Sequence, residues 1–224
     1  MPDTAPPPRP RPRRTQQQRR EHTINRLVDA TVRGLAELGY ARCSVQEICV
    51  RAGVSQGALF RHFPTRRALL VTTAERVAAR QVADLREQLT GLDLDLREAL
   101  LLLRAHTRSH PNRVWHELLQ AARTDPELRE QVAPTLRSHN RRVAAVASAF
   151  VGDRFGDQAT LFAVMRLVTG YLDGEARVAD VAPDPDRDDA TLEFLLDLLR
   201  EVEGGRLPGR PRTETASERE PSAH

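Results

Sequence analysis

Between Ser55 and Phe63 the chain sets Gln56, Gly57, Ala58, Phe60, Arg61 and His62 around one aliphatic residue, Leu59. A carboxamide, a guanidinium and an imidazole can each hydrogen-bond to base edges or phosphates. Small residues beside them let a backbone come close to its partner. The run therefore suits a helix laid in a major groove, with Leu59 as its buried contact. Ser55 stands where a helix cap belongs, its side-chain oxygen able to accept from a backbone N–H of the first turn.

A second short helix precedes this one. Ser44 and Glu47 have the spacing of a capping box. Val45, Ile48 and Cys49 then share a face, and Ala52-Gly53 stops the helix because glycine readily takes a left-handed conformation. Upstream, Ile24, Leu27, Val28, Val32 and Leu35 mark one stripe of a helix from about Arg20 to Leu38, ended by Gly39. Downstream, Pro64-Thr65 breaks the chain. Thr65 then caps a helix that runs through Leu69, Leu70 and Val77 to about Leu89. Its first turn holds Arg66 and Arg67, whose charge opposes the helix dipole. A nucleic-acid phosphate at that terminus would resolve the conflict.

The run LGYARCSVQEICVRAGVSQGALFRHFPTRRALL, with the helix before it, resembles the DNA-binding domain of TetR-family transcriptional regulators. The shared features are Gly39-Tyr40, Ser44-Val45, Ile48, Ala52-Gly53-Val54-Ser55, Gly57, the Leu59–Phe63 run and Leu69-Leu70. Phe60 stands where the family usually has Tyr, and Arg66 where it usually has Lys. The resemblance covers residues 20–80, with the helix-turn-helix at about 43–62. It implies an all-α fold: a three-helix head with a linking helix, then a larger helical domain that binds an effector and dimerises. It also implies the function, a regulator, most often a repressor. Such a protein binds a palindromic operator in double-stranded DNA as a homodimer and is released by a small molecule. On this chain, Gln56 and Arg61 would read bases, with Gly57 and Ala58 allowing close approach. Ser44, Ser55, Phe60, His62 and Arg66 would position the head on phosphates.

Charge distribution agrees. All 34 basic residues are Arg, so the amount of Arg says little, but its placement says more. Residues 1–80 hold 15 Arg against 6 acids, and residues 81–224 hold 19 against 25. A basic end on an acidic body is the footprint of a DNA-binding head. A protein that coats DNA without sequence preference, using basic arms, is the alternative reading. Residues 1–19 and 204–224, rich in Arg, Pro or Gly and lacking apolar periodicity, are expected as a disordered arm and tail. No apolar run is long enough to span a membrane, no apolar segment follows the basic N-terminus as in a signal peptide, and two cysteines six apart suggest no disulfide framework. A cytoplasmic protein is expected.

Residues 81–203 read as helical almost throughout, with helices near 94–108, 111–124, 126–151, 157–180 and 188–203. The segment WHELLQAARTDPELREQV loosely resembles the matching part of many TetR-family regulators. Given the cavity that the resemblance implies, Leu103, His106, Trp115, Leu119, Phe162 and Met165 are candidates to line it, around a small and largely apolar effector. His106 and His110 are four apart, but Pro111 ends the helix there, so no metal site is expected. No phosphate-binding Gly-rich loop, nucleophile elbow or Cys/His constellation is present. Neither enzymatic activity nor a cofactor is expected. The last two helices carry more apolar residues than one stripe needs: Leu161, Val164, Leu167 and Val168, then Leu192, Leu195, Leu196, Leu198 and Leu199. These are expected to form the dimer seam.

Overall fold

Thr15 opens the first helix of the computed structural model, which describes residues 15–152 and 154–205. Its Oγ1 accepts from the Gln18 N–H at 3.2 Å, and its own N–H donates to Gln18 Oε1 at 3.0 Å. This reciprocal cap starts α1 (Gln16–Arg42), so residues 15–19 are not part of an arm. Residues 1–14 and 206–224, where the rest of the expected arm and tail fall, lie outside the described residues. Gly39 breaks α1 as its sequence suggests, with φ 74° and ψ 172°, but the chain resumes helical bonding as far as Arg42.

Two compact units follow from the contacts, Met1–Thr73 and Ala74–His224. The first holds α1, α2 (Val45–Ala52), α3 (Gln56–His62) and the opening turns of α4 (Arg66–Leu89). Ser44 caps α2 through the Glu47 N–H at 3.2 Å, but the expected capping box is only half made. Glu47 turns its carboxylate to Arg51 instead, and Arg51 also pairs with Glu37 of α1 at 2.6 Å. Gly53 ends α2 in the left-handed region, at φ 60° and ψ 44°. Arg26 of α1 closes the same end, donating to the carbonyls of Ala52 and Gly53. Leu27, Leu35, Ile48, Leu59 and Leu69 are fully buried in this unit.

The second unit contains the rest of α4, then α5 (Leu96–Thr107), α6 (His110–Thr124), α7 (Pro126–Val151), α8 (Gln158–Ala179) and α9 (Pro185–Glu203). Caps set these bounds. Asp95 and Glu98 make a full capping box for α5, and Pro185 sits in the first turn of α9 behind the Asp184 cap. Helix α5 ends at Thr107 and α6 begins at His110. His106 and His110 therefore belong to different helices.

The apolar residues expected at a dimer seam are mostly core. Leu161, Val164 and Val168 of α8 pack with Leu192, Leu195, Leu196 and Leu199 of α9, around Leu100 of α5. Within a single protomer a third helix, α5, takes up the second apolar face. Only Leu167, at 53% exposure, and the half-buried Leu198 stand outside that core. An ionic lattice beside it joins the same three helices. Arg104 of α5 reaches Glu175 of α8 at 2.7 Å and Asp189 of α9, and Arg108 reaches Asp188 at 3.0 Å. Among the described residues no helix is long and apolar enough to cross a membrane.

Candidate nucleic-acid interface and effector cavity

Helix α3 is built to be held at one point and open elsewhere. Ser55 accepts from the Ala58 N–H at 3.2 Å, and Leu59 is the one fully buried residue of the helix. Gln56, Gly57, Phe60 and Arg61 are exposed, Ala58 and His62 half-buried. Phe60 keeps 46% of its surface exposed, a large apolar side chain beside Arg61. Gly57 has no steric need within the fold. A Cβ there would meet nothing nearer than Ser55 Oγ at 4.0 Å. Ser44, exposed at the start of α2, is the remaining polar candidate. Gln56, Gly57, Phe60 and Arg61 thus form one accessible surface on one short helix.

Arg66 does not join that surface. Its Nε donates to the Cys43 carbonyl at 3.0 Å and its Nη2 to the Tyr40 carbonyl at 2.7 Å, while its guanidinium lies 4.3 Å from the Tyr40 ring centroid. The charge that opposes the dipole at the start of α4 is answered by carbonyls where α1 ends, the negative pole of that helix. Arg66 is a tie between elements of the head.

The second unit holds a partly open cavity of about 150 Å³. Leu103 and His106 of α5, Trp115 of α6, and Phe162 and Met165 of α8 all line it, as their positions suggested. Leu119 does not. It borders a separate groove with Leu136 and Arg177, because one helical turn beyond Trp115 carries it past the cavity.

The lining is also less apolar than expected. Gln81 of α4, Asn112 of α6, His139 of α7 and Asp173 of α8 contribute polar groups. Three of them form a relay. Gln81 Nε2 donates to Asn112 Oδ1 at 2.9 Å, and Asn112 Nδ2 donates to Asp173 Oδ1 at 3.0 Å and to the Thr107 carbonyl at 2.7 Å. His116 Nε2 lies 3.1 Å from the same Asp173 oxygen. Burial alone would push the Asp173 carboxyl up. The adjacent His116 ring and the hydrogen bond from Asn112, helped by Arg177, outweigh it and hold the carboxyl below its ordinary value. Burial pushes both His106 and His139 down, so both rings are neutral near pH 7. The His139 ring stacks obliquely on Trp115, centroids 4.9 Å apart. Sequence reading missed Gln81, Asn112, His139 and Asp173, because helical periodicity marks apolar faces and carries no sign of a polar relay among distant positions. Among the described residues no group of His, Cys, Asp and Glu could hold a metal ion.

Residues 27–80 match the family model described as bacterial regulatory proteins, tetR family. An uncharacterized HTH-type transcriptional regulator of Mycobacterium tuberculosis is 39% identical over 189 residues, 83% of this chain and 97% of that protein. A transcriptional regulator from Rhodococcus superposes with a TM-score of 0.62 at 25% identity, covering 83% of this chain and 99% of that one. The regulator FadR of Bacillus subtilis, solved in complex with stearoyl-CoA, shares the fold at a TM-score of 0.59 and 17% identity, covering 78% of this chain and 96% of that one.

Proposed function

This chain belongs to the TetR family of bacterial regulatory proteins, and from that premise we propose that it is a ligand-released repressor acting as a homodimer on a palindromic operator. The observation that carries the reading is α3, whose exposed face combines Gln56 and Arg61 with a glycine that the fold itself leaves unfilled. Gln56 and Arg61 read bases. Ser44, Ser55, Phe60 and His62 set the helix on the phosphates. Two copies are joined through the face of α8 and α9 that the described residues leave open. Leu167 is 53% and Phe194 64% exposed, and a Cβ at Gly170 or Gly174 would meet nothing. Apolar side chains beside two bare glycines suit close helix approach, and a two-fold pair matches a palindromic site.

The effector occupies the cavity lined by His106, Trp115 and Met165. That the similarly folded FadR was solved with a ligand supports a ligand-binding role for this unit. Helix α4 contributes Gln81 to the cavity and Arg66 to the head, so it is the element through which occupancy is coupled to DNA affinity. Such coupling is reciprocal and typically amounts to about 1–3 kcal/mol.

Selection from random duplex DNA tests the reading. The expected result is an enriched inverted repeat, bound on the order of 10³-fold more tightly than scrambled DNA. Equal affinity for both would instead favour a protein that coats DNA. An enriched site without inverted symmetry would refute the two-fold arrangement.

A further inference from the structure

We propose that the cavity takes a single-ring molecule bearing a hydrogen-bond donor, of the phenol class, and discriminates against both the isosteric hydrocarbon and the corresponding anion. This rests on the cavity being the effector site and adds to it the chemistry of the effector.

The argument begins with which atoms the relay leaves over. Asn112 Nδ2 gives its two hydrogens to the Thr107 carbonyl and to Asp173 Oδ1. That fixes the amide orientation, so Asn112 Oδ1 is the acceptor that faces Gln81 Nε2. The orientation of Gln81 is fixed in turn. Its Oε1 is an obligate acceptor, buried and without a partner among the described residues, on a residue only 2% exposed. Gln81 lines the cavity, as does His139, whose Nδ1 is also buried without a partner among the described residues. A buried acceptor with no donor to match calls for one from the occupant, because an unpartnered buried polar group is costly.

Size and walls set the rest. About 150 Å³ holds a molecule of roughly one benzene ring. Trp115, Phe162 and Met165 offer it an apolar, polarisable wall. Asp173, held ionised, disfavours a negative occupant. Arg166 also borders the cavity but is solvent-exposed, which weakens its pull on an anion. A site that hydrogen-bonds an occupant's hydroxyl discriminates strongly against the analogue without it.

Phenol, toluene and benzoate are the probes. They share one ring and differ in what it carries. Titration of the full-length protein, followed by calorimetry and by the fluorescence of Trp115, its only tryptophan, should show phenol binding at least about tenfold more tightly than toluene, with benzoate weaker still. Gln81→Met should bring phenol to the level of toluene without weakening toluene. If that variant fails to fold, the ranking on the parent protein decides. Toluene equal to phenol, as would follow if buried water already serves that acceptor, overturns the proposal, as does benzoate binding more tightly than phenol. Failure of all three to bind up to millimolar concentration overturns both the donor preference and the effector reading. Phenol that binds selectively yet leaves DNA affinity unchanged refutes the effector reading alone.

Discussion

Replacing Gly57 by Ala separates what the fold needs from what the proposed DNA contact needs. The added methyl would project into open space, its nearest neighbour being Ser55 Oγ at 4.0 Å, so no clash opposes it within the head. Gly57 is the second residue of α3, where it carries the entropic cost of glycine in a helix. Alanine should therefore stabilise the protein by roughly 0.5–1 kcal/mol, toward the lower figure so near a helix end. That corresponds to a rise of about 1–3 °C in the melting midpoint. DNA binding should move the other way. If the backbone at Gly57 lies against DNA, a methyl group there lifts α3 away from the base edges. Gln56 and Arg61 would then lose geometry that is worth roughly 1–3 kcal/mol for each good bidentate contact. A loss of at least about tenfold in affinity, or ~1.4 kcal/mol, is expected for the selected site. Calorimetric melting and fluorescence anisotropy on the same preparation would give both numbers. A variant that melts higher and binds DNA within twofold of the parent would refute the close approach. One that melts lower would refute the reading of Gly57 as unconstrained by the fold.

Arg66→Ala should cost the head about 1–3 kcal/mol, since two buried-side carbonyls lose a charged donor and Tyr40 loses its cation. The salt dependence of DNA binding should stay unchanged, and a reduced slope in salt titrations would return Arg66 to the phosphates. Leu167→Glu combined with Phe194→Glu should give folded monomers in ultracentrifugation, because both side chains are exposed in the protomer. Leu195→Glu should instead unfold the second unit, its leucine being 5% exposed in the core, and a dimer surviving the double change would place the interface elsewhere. Acid should destabilise the second unit. Burial depresses His106 and His139, so the unfolded chain protonates first, and stability that is intact above about pH 6.5 is lost as pH falls through that value toward the folded-state pKa. Urea midpoints should fall with acidification below roughly pH 6.5, less steeply for His139→Phe, whereas a midpoint independent of pH there would refute the burial argument.

The helices were legible where local chemistry decides them. The Pro64-Thr65 break and the Asp125-Pro126 start give α4 and α7 their bounds, because a cap or an imposed proline φ acts within one turn. Misreadings arose where the deciding group had competitors. Glu47 can complete a capping box or pair with Arg51, and the nearby Glu37 makes Arg51 the anchor of a larger ionic cluster. Thr15 was hidden because Arg/Pro composition precedes it, though its cap needs only Gln18.

Arg66 and Leu195 have one thing in common. In each case the sequence displayed an unmet requirement: a positive charge at a positive helix pole, or a helix apolar on more faces than one neighbour can cover. Physical chemistry dictates that such a requirement be met, but it does not say by whom. Supplying a DNA strand or a second subunit is the natural step when only one helix is in view. The folded chain supplies the end of α1 for Arg66 and α5 for the leucines of α8 and α9. Gln81 Oε1 and His139 Nδ1 are the converse case, requirements that no sequence displays and that the described residues leave unmet. The α8–α9 surface at Leu167 and Phe194 and the open Cβ position at Gly57 are likewise answered by nothing among the described residues. External partners are best sought at those places, because a need that the fold has already met is no evidence for one.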